Sequence, residues 1–116
     1  MNRLNEIESR ANAATAGPWV PWKDQDSTDW EVLGDCDDYG NPMLIASEVD
    51  DEDAEFIAHA RTDVPDMAAA LRAVLEVHKP GRTFHGHGFS TPLCMCGTEM
   101  PCPTVEIIRQ HLGDDQ

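Results

Sequence analysis

Residues 94–104 read Cys94-Met95-Cys96-Gly97-Thr98-Glu99-Met100-Pro101-Cys102-Pro103-Thr104, and this stretch decides how the last third of the chain can fold. Three thiols fall within nine residues. Zinc draws soft thiolate and imidazole ligands into a tetrahedron, and cysteines this close on a turn can supply two or three of them. A helix starting at Pro103 would put Cys102 at its N-cap, where the helix dipole favours the metal-binding thiolate. A histidine would complete the set, and His78, His85 and His87 all lie upstream. The residues alone also admit a disulfide of Cys94 or Cys96 with Cys102, or free thiols. Cys36, remote from the others, reads as a lone thiol, and His85-Gly86-His87 reads as a flexible exposed loop.

Working outward, residues 81–103 hold Gly81, Gly86, Gly88 and Gly97 with Pro92, Pro101 and Pro103, and offer little apolar material to fold around. Downstream, Val105, Ile108 and Leu112 recur at helical spacing, Gly113 stops the pattern, and Asp-Asp-Gln follows as a loose tail. Upstream, Met67, Leu71, Val74, Leu75 and His78 form a helical stripe that ends at His78-Lys79-Pro80-Gly81. Before it, Asp50, Asp51, Glu52 and Asp53 suit a helix N-terminus, with Phe56, Ile57 and Ala60 as its buried face. Thr62-Asp63-Val64-Pro65-Asp66 predicts a break and a fresh start, with Asp63 and Asp66 resembling a capping box.

The first third reads as one short helix and a small sheet. Leu4, Ile7, Ala11 and Ala14 predict a helix over 3–14, ended by Ala16-Gly17-Pro18. Trp19, Val20 and Trp22 make a short strand whose Pro21 suits a sheet edge. Trp30, Val32 and Leu33 pair with Met43, Leu44 and Ile45 across a Tyr39-Gly40-Asn41-Pro42 turn. The predicted fold class is therefore α+β, a short antiparallel sheet packed against helices. Residues 1–80 form the core domain, and residues 81–116 form a Cys/His-rich, zinc-stapled segment with a terminal helix.

Composition bounds what this fold can do. The chain has 116 residues, of which 41% are hydrophobic, so the core is modest and a metal clip helps hold it. No apolar run is long enough to span a bilayer, and the N-terminus has no signal-peptide h-region. Lys and Arg total 8 against 22 Asp and Glu, a net charge of -14 that argues against neutralising nucleic-acid phosphates. Thirteen of those acids lie in residues 24–55, which contain no Lys or Arg. Such a window serves as a solvated face, docks on a basic partner or imitates a phosphate backbone. Asp35, Asp37 and Asp38 are its candidate partner-binding residues.

Asp35, Asp37 and Gly40 fit the start of a calcium loop, but Tyr39 and Ala46 occupy ligand positions. Trp19, Trp22 and Trp30 either fill the core or line a pocket for a small molecule or nucleotide. Glu99 is the carboxylate nearest the thiols, and no His-Glu-x-x-His pattern or phosphate-binding loop is present. No residue is assigned a catalytic role, and the chain reads as a non-enzyme.

Three stretches together carry a resemblance. They are Arg3 to Arg10 running into Ala14-Thr15-Ala16-Gly17-Pro18-Trp19; Asp53-Ala54-Glu55-Phe56-Ile57-Ala58-His59-Ala60-Arg61-Thr62-Asp63-Val64-Pro65; and Leu71 to His78 with Pro101-Cys102-Pro103-Thr104-Val105. The chain resembles small uncharacterised accessory proteins of actinobacterial bacteriophages and prophages. Those proteins often carry a His at the end of the long helix, a Cys-x-x-Cys and a Pro-Cys-Pro-Thr. The resemblance implies His78, Cys94, Cys96 and Cys102 as the metal set, with Cys-x-Cys standing here for Cys-x-x-Cys. It also implies the cytoplasm of a bacterial host as the setting. A host protein is then the expected partner of the acidic surface, with nucleic acid and membrane excluded and self-association left open.

Overall fold

The computed structural model describes residues 2–86 and 89–113, and gives the backbone alone for those between 82 and 91. The elements in order are α1 (Asn2–Ala13), β1 (Val20–Trp22), β2 (Trp30–Cys36), β3 (Pro42–Val49), α2 (Asp51–Glu76), β4 (Pro80–Gly86), β5 (Phe89–Cys94) and α3 (Pro103–Leu112). This is an α+β fold whose strands pair antiparallel throughout. It divides into two compact units: one is Ser9–Met67, the other joins the turns before Ser9 to the chain from Ala68 onward.

In the first unit the sheet order is β1-β2-β3, so β1 with Pro21 lies at an edge as the sequence predicts. Trp30, Val32 and Ala46 face one way. Val32 is fully buried there against Ala54 and Ala58 of α2, with Trp19, Ile45, Val49 and Ile57 around them. Two register shifts let β3 contribute more than alternation allows. Val32 pairs with Ala46 but Leu33 with Leu44, so Ile45 is an extra residue and both Ile45 and Ala46 pack on the core. The second shift, between Trp30↔Val49 and Val32↔Ala46, includes Glu48 at φ +57, a left-handed conformation unusual for this residue. The approach to β1 is fixed by Thr15, whose carbonyl accepts from Trp19 Nε1 at 3.0 Å and Arg61 Nε at 2.9 Å.

α2 corrects two expectations. Its 26 residues run through Pro65 without the break, so Asp63 and Asp66 do not cap a second helix. Pro65 removes one backbone donor, but it lies on the same face as Ala54, Ala58, Arg61 and Ala68, all buried or partly buried. Packing on that stripe continues across the proline and outweighs the lost hydrogen bond. The same stripe explains the second correction. The buried face is alanine-rich and rotated from the large apolar residues, leaving Phe56 76% and Met67 64% exposed.

In the second unit Arg72 of α2 reaches Asn5 Oδ1 at 2.7 Å and pairs with Glu8, while Leu4 of α1 is buried. The sequence assigned no strand to residues 81–94, yet β4 and β5 form a hairpin, with Arg82 opposite Leu93 and Pro80 opposite Cys94. Too few apolar residues alternate there to announce strands; the backbone ladder and the anchored ends define them. α3 matches its prediction: Cys102 is the N-cap, Pro103 opens the helix, and Gly113 closes it at φ +79 with its N–H on the Arg109 carbonyl at 2.9 Å. The terminal Asp-Asp-Gln and His87 lie outside the described residues, as does the side chain of His85.

Candidate metal centre

β5 ends on Cys94, and the chain then turns back on itself. The Gly97 N–H donates to the Cys94 carbonyl at 2.9 Å, and the Cys94 N–H to the Thr98 carbonyl at 2.8 Å. Gly97 stands at φ +98, which a side chain would resist, so glycine permits the reversal directly after Cys96. The Met95 N–H donates to the Lys79 carbonyl at 2.9 Å and ties this knuckle to the residue following His78. Close packing also fixes Gly81, where a Cβ would stand 2.4 Å from Met95 Cγ.

Three separate parts of the chain thus converge: the end of α2 through His78, the knuckle through Cys94 and Cys96, and the start of α3 through Cys102. Their ligand atoms all lie within 4.8 Å of one another, close enough to hold a metal ion. His78 Nδ1 is 3.5 Å from Cys102 Sγ and 3.8 Å from Cys94 Sγ, and Cys96 Sγ is 3.9 Å from Cys102 Sγ. Cys94 and Cys102 are buried, whereas Cys96 is exposed. All four cysteines are free thiols, so the disulfide alternative is not realised here, and Cys36 stands exposed and apart.

The electrostatics favour ionised sulfur at two of the three positions. Burial pushes the Cys102 thiol up, but the Val105 N–H, the Thr98 hydroxyl and the Thr104 N–H overrule it and bring the group down to about 6. Cys102 makes no capping hydrogen bond through its side chain; the first-turn N–H dipoles act on it nonetheless. Hydrogen bonds from the Thr98 hydroxyl and N–H lower Cys96. Burial raises Cys94. His78 is raised by its hydrogen bonds to Cys102 and then Cys96. Thr98 is the member of this centre that sequence reasoning missed: its hydroxyl lies 3.1 Å from Cys96 Sγ and 3.7 Å from Cys102 Sγ. A threonine two residues after a turn cysteine is the signal that points to it.

The remaining candidates are distributed elsewhere. Asp35 and Asp37 support the β2–β3 turn: Asp35 Oδ1 accepts from the Cys36 N–H, and Asp37 Oδ1 from the Tyr39 and Asn41 N–H groups, each at 2.9 Å. Asp38 is exposed beside them. Trp19 and Trp30 pack on the core, while Trp22 is 45% exposed and lines a hollow on the sheet. His59 is exposed and meets Glu55 on its own helix at 3.3 Å. No helix among the described residues is long and apolar enough to cross a membrane.

Fold and centre together define a small α+β protein with a Cys3His cluster able to hold a metal ion. Comparison with protein-family models, with curated proteins and with solved structures returned no match.

Proposed function

We propose that the cluster holds one zinc ion as a structural staple, and that the protein is a non-enzymatic accessory protein of an actinobacterial phage or prophage. In the host cytoplasm its acidic face would bind and modulate a host protein.

The spacing of the ligand atoms carries the zinc reading. Tetrahedral zinc, with bonds of about 2.3 Å to sulfur and about 2.0 Å to nitrogen, sets S···S edges of about 3.8 Å and S···N edges of about 3.5 Å. Here the Cys96–Cys102 sulfur pair stands at 3.9 Å and His78 Nδ1 at 3.5 and 3.8 Å from the Cys102 and Cys94 sulfurs, with all four ligand atoms within 4.8 Å of one another. Four protein donors complete the shell and leave no position for a reacting water, which favours a structural over a catalytic role. The acid-rich window over residues 24–55 supports the binding role. The sequence resemblance supports the phage setting.

Elemental analysis of the purified protein and of Cys102→Ser tests the staple: one equivalent of zinc in the first and none in the second is expected. A metal-free parent with fully titratable thiols would end that reading. Affinity capture from a bacterial host lysate, repeated with Asp35, Asp37 and Asp38 changed to Asn, tests the partner. Retention of the same partner by that variant counts against a role for the hairpin tip.

A further inference from the structure

Strand register places Val20, Leu33 and Leu44 side by side, and Trp22 beside Glu31, on the face of the sheet opposite Val32. An antiparallel sheet that packs one face on its core usually turns polar residues to water on the other. Here Val20 is 48%, Trp22 45% and Leu44 57% exposed on that outer face. A hollow of about 420 Å³ opens there, with Trp22 and Leu44 as its apolar walls and Asp24, Asp29, Glu31 and Glu48 as its carboxylates. None of these four carboxylates pairs with a cationic side chain among the described residues. Lys23, next in sequence to Trp22, is directed to the ring of Trp30 instead, 5.8 Å from its centroid.

The lining makes two demands at once. Concentrated negative charge calls for a cation, and an indole with an aliphatic wall calls for an apolar stem or a flat face. A hard metal ion answers only the first, since calcium seeks six to eight oxygens and gains nothing from Trp22 or Leu44. A guanidinium answers both. It is planar, stacks on an aromatic face and forks its donors onto carboxylates. We infer that this hollow is a docking site for an arginine side chain presented by a partner protein, with Trp22 stacking the guanidinium and the surrounding carboxylates pairing with it. The inference rests on the proposed role as a binding module, and moves the point of contact from the hairpin tip to the outer sheet face.

The test uses the full-length protein and an acetylated tetra-arginine peptide, followed through the indole N–H resonances of the tryptophans. The Trp22 signal should shift saturably, while those of Trp19 and Trp30 stay in place and report an intact core. Tetra-lysine should bind several-fold more weakly. Trp22→Ala should weaken arginine-peptide binding about tenfold, the scale of a partly desolvated cation–π contact. Because that change removes a large side chain, the exposed pair Asp29→Asn with Glu48→Gln serves as a second variant. It should weaken binding at least as much without disturbing the Trp19 and Trp30 signals. Asp66→Asn, at an exposed α2 carboxylate that does not line the hollow, should leave it unchanged. Equal loss from Asp66→Asn and from the Asp29/Glu48 pair, or a silent Trp22, would overturn the hollow in favour of diffuse attraction. A partner captured from lysate by a protein that ignores the arginine peptide refutes this inference and leaves the broader reading standing. Peptide binding at Trp22 with no lysate partner supports the hollow while the host-protein reading falls.

Discussion

Replacing Cys102 by serine separates a zinc-pinned C-terminal segment from one held by burial. α3 is 10 residues long and buries no side chain fully. An isolated helix shorter than about 12–15 residues is marginal in water. Its N-cap is the buried Cys102, and on the zinc reading that sulfur also bonds the metal. Without a metal the helix would keep only half-buried contacts such as those of Val105, Ile108 and Leu112. At free zinc a thousandfold above Kd, binding contributes about 4 kcal/mol, and a chain of this size loses about 4 °C of Tm per kcal/mol, so Cys102→Ser should melt about 15 °C lower. α3 holds about a fifth of the residues in the three helices, so far-ultraviolet circular dichroism should lose a comparable share of its helical signal if α3 frays. Chelating the parent should reproduce both changes, and restoring zinc should reverse them. Cys36→Ser, at an exposed cysteine outside the cluster, should keep one equivalent of zinc and the parent melting temperature. The reasoning fails if Cys102→Ser keeps its zinc, or if it loses zinc while its helicity and Tm stay at parental values.

Four further outcomes follow from particular positions. Pro65→Ala restores an interior helix donor on a continuous helix, and should raise stability by about 1–3 kcal/mol in a chemical-denaturation curve. Glu48→Gly relieves a left-handed residue at a strand irregularity, and should raise it by about 1 kcal/mol in the same assay. Val32→Ala empties a fully buried site between the sheet and α2, and should cost about 2–3 kcal/mol, read as a lower denaturation midpoint with unchanged slope. In metal-free protein, to the extent that α3 stays helical, thiolate absorbance should show a step near pH 6 that Cys102→Ser abolishes, and where α3 frays the step moves up toward about 8.5, the range of an unperturbed thiol. The sign follows: a depressed folded pKa stabilises the fold fully above the unfolded value, and that contribution is lost as pH falls through about 6.

Legibility in the sequence tracked how local each determinant is. The β2–β3 hairpin, the edge position of Pro21 and the Cys102–Gly113 frame of α3 could be read because turn chemistry and caps are encoded within a few residues. The cluster was readable because His78, Cys94, Cys96 and Cys102 belong to the few residue types that bind soft metals, and the resemblance selected the histidine. What stayed hidden depends on tertiary context. Pro65 reads as a stop until one sees that its helix face is already packed on both sides of it. Phe56 and Met67 read as core until the alanine stripe is found to occupy that place. β4 and β5 carry no clear alternation because their hairpin is defined by backbone pairing and by its anchored ends.

The small core and the metal cluster are two sides of one design. Among the described residues, the largest fully buried side chains are Leu4, Val32, Cys94 and Cys102. Val32 anchors the first unit by ordinary packing of a sheet on α2. The second unit holds the other three, and two of them are sulfurs that cluster with His78. A leucine at either place would pack, but it could not join three chain segments at a point. A metal ion would join them, and its ligand geometry would set the positions of the end of α2, the knuckle and the start of α3 without a large hydrophobic interior. In the first unit, where ordinary packing forms the core, the outer sheet face with Trp22 and the surrounding carboxylates is left exposed.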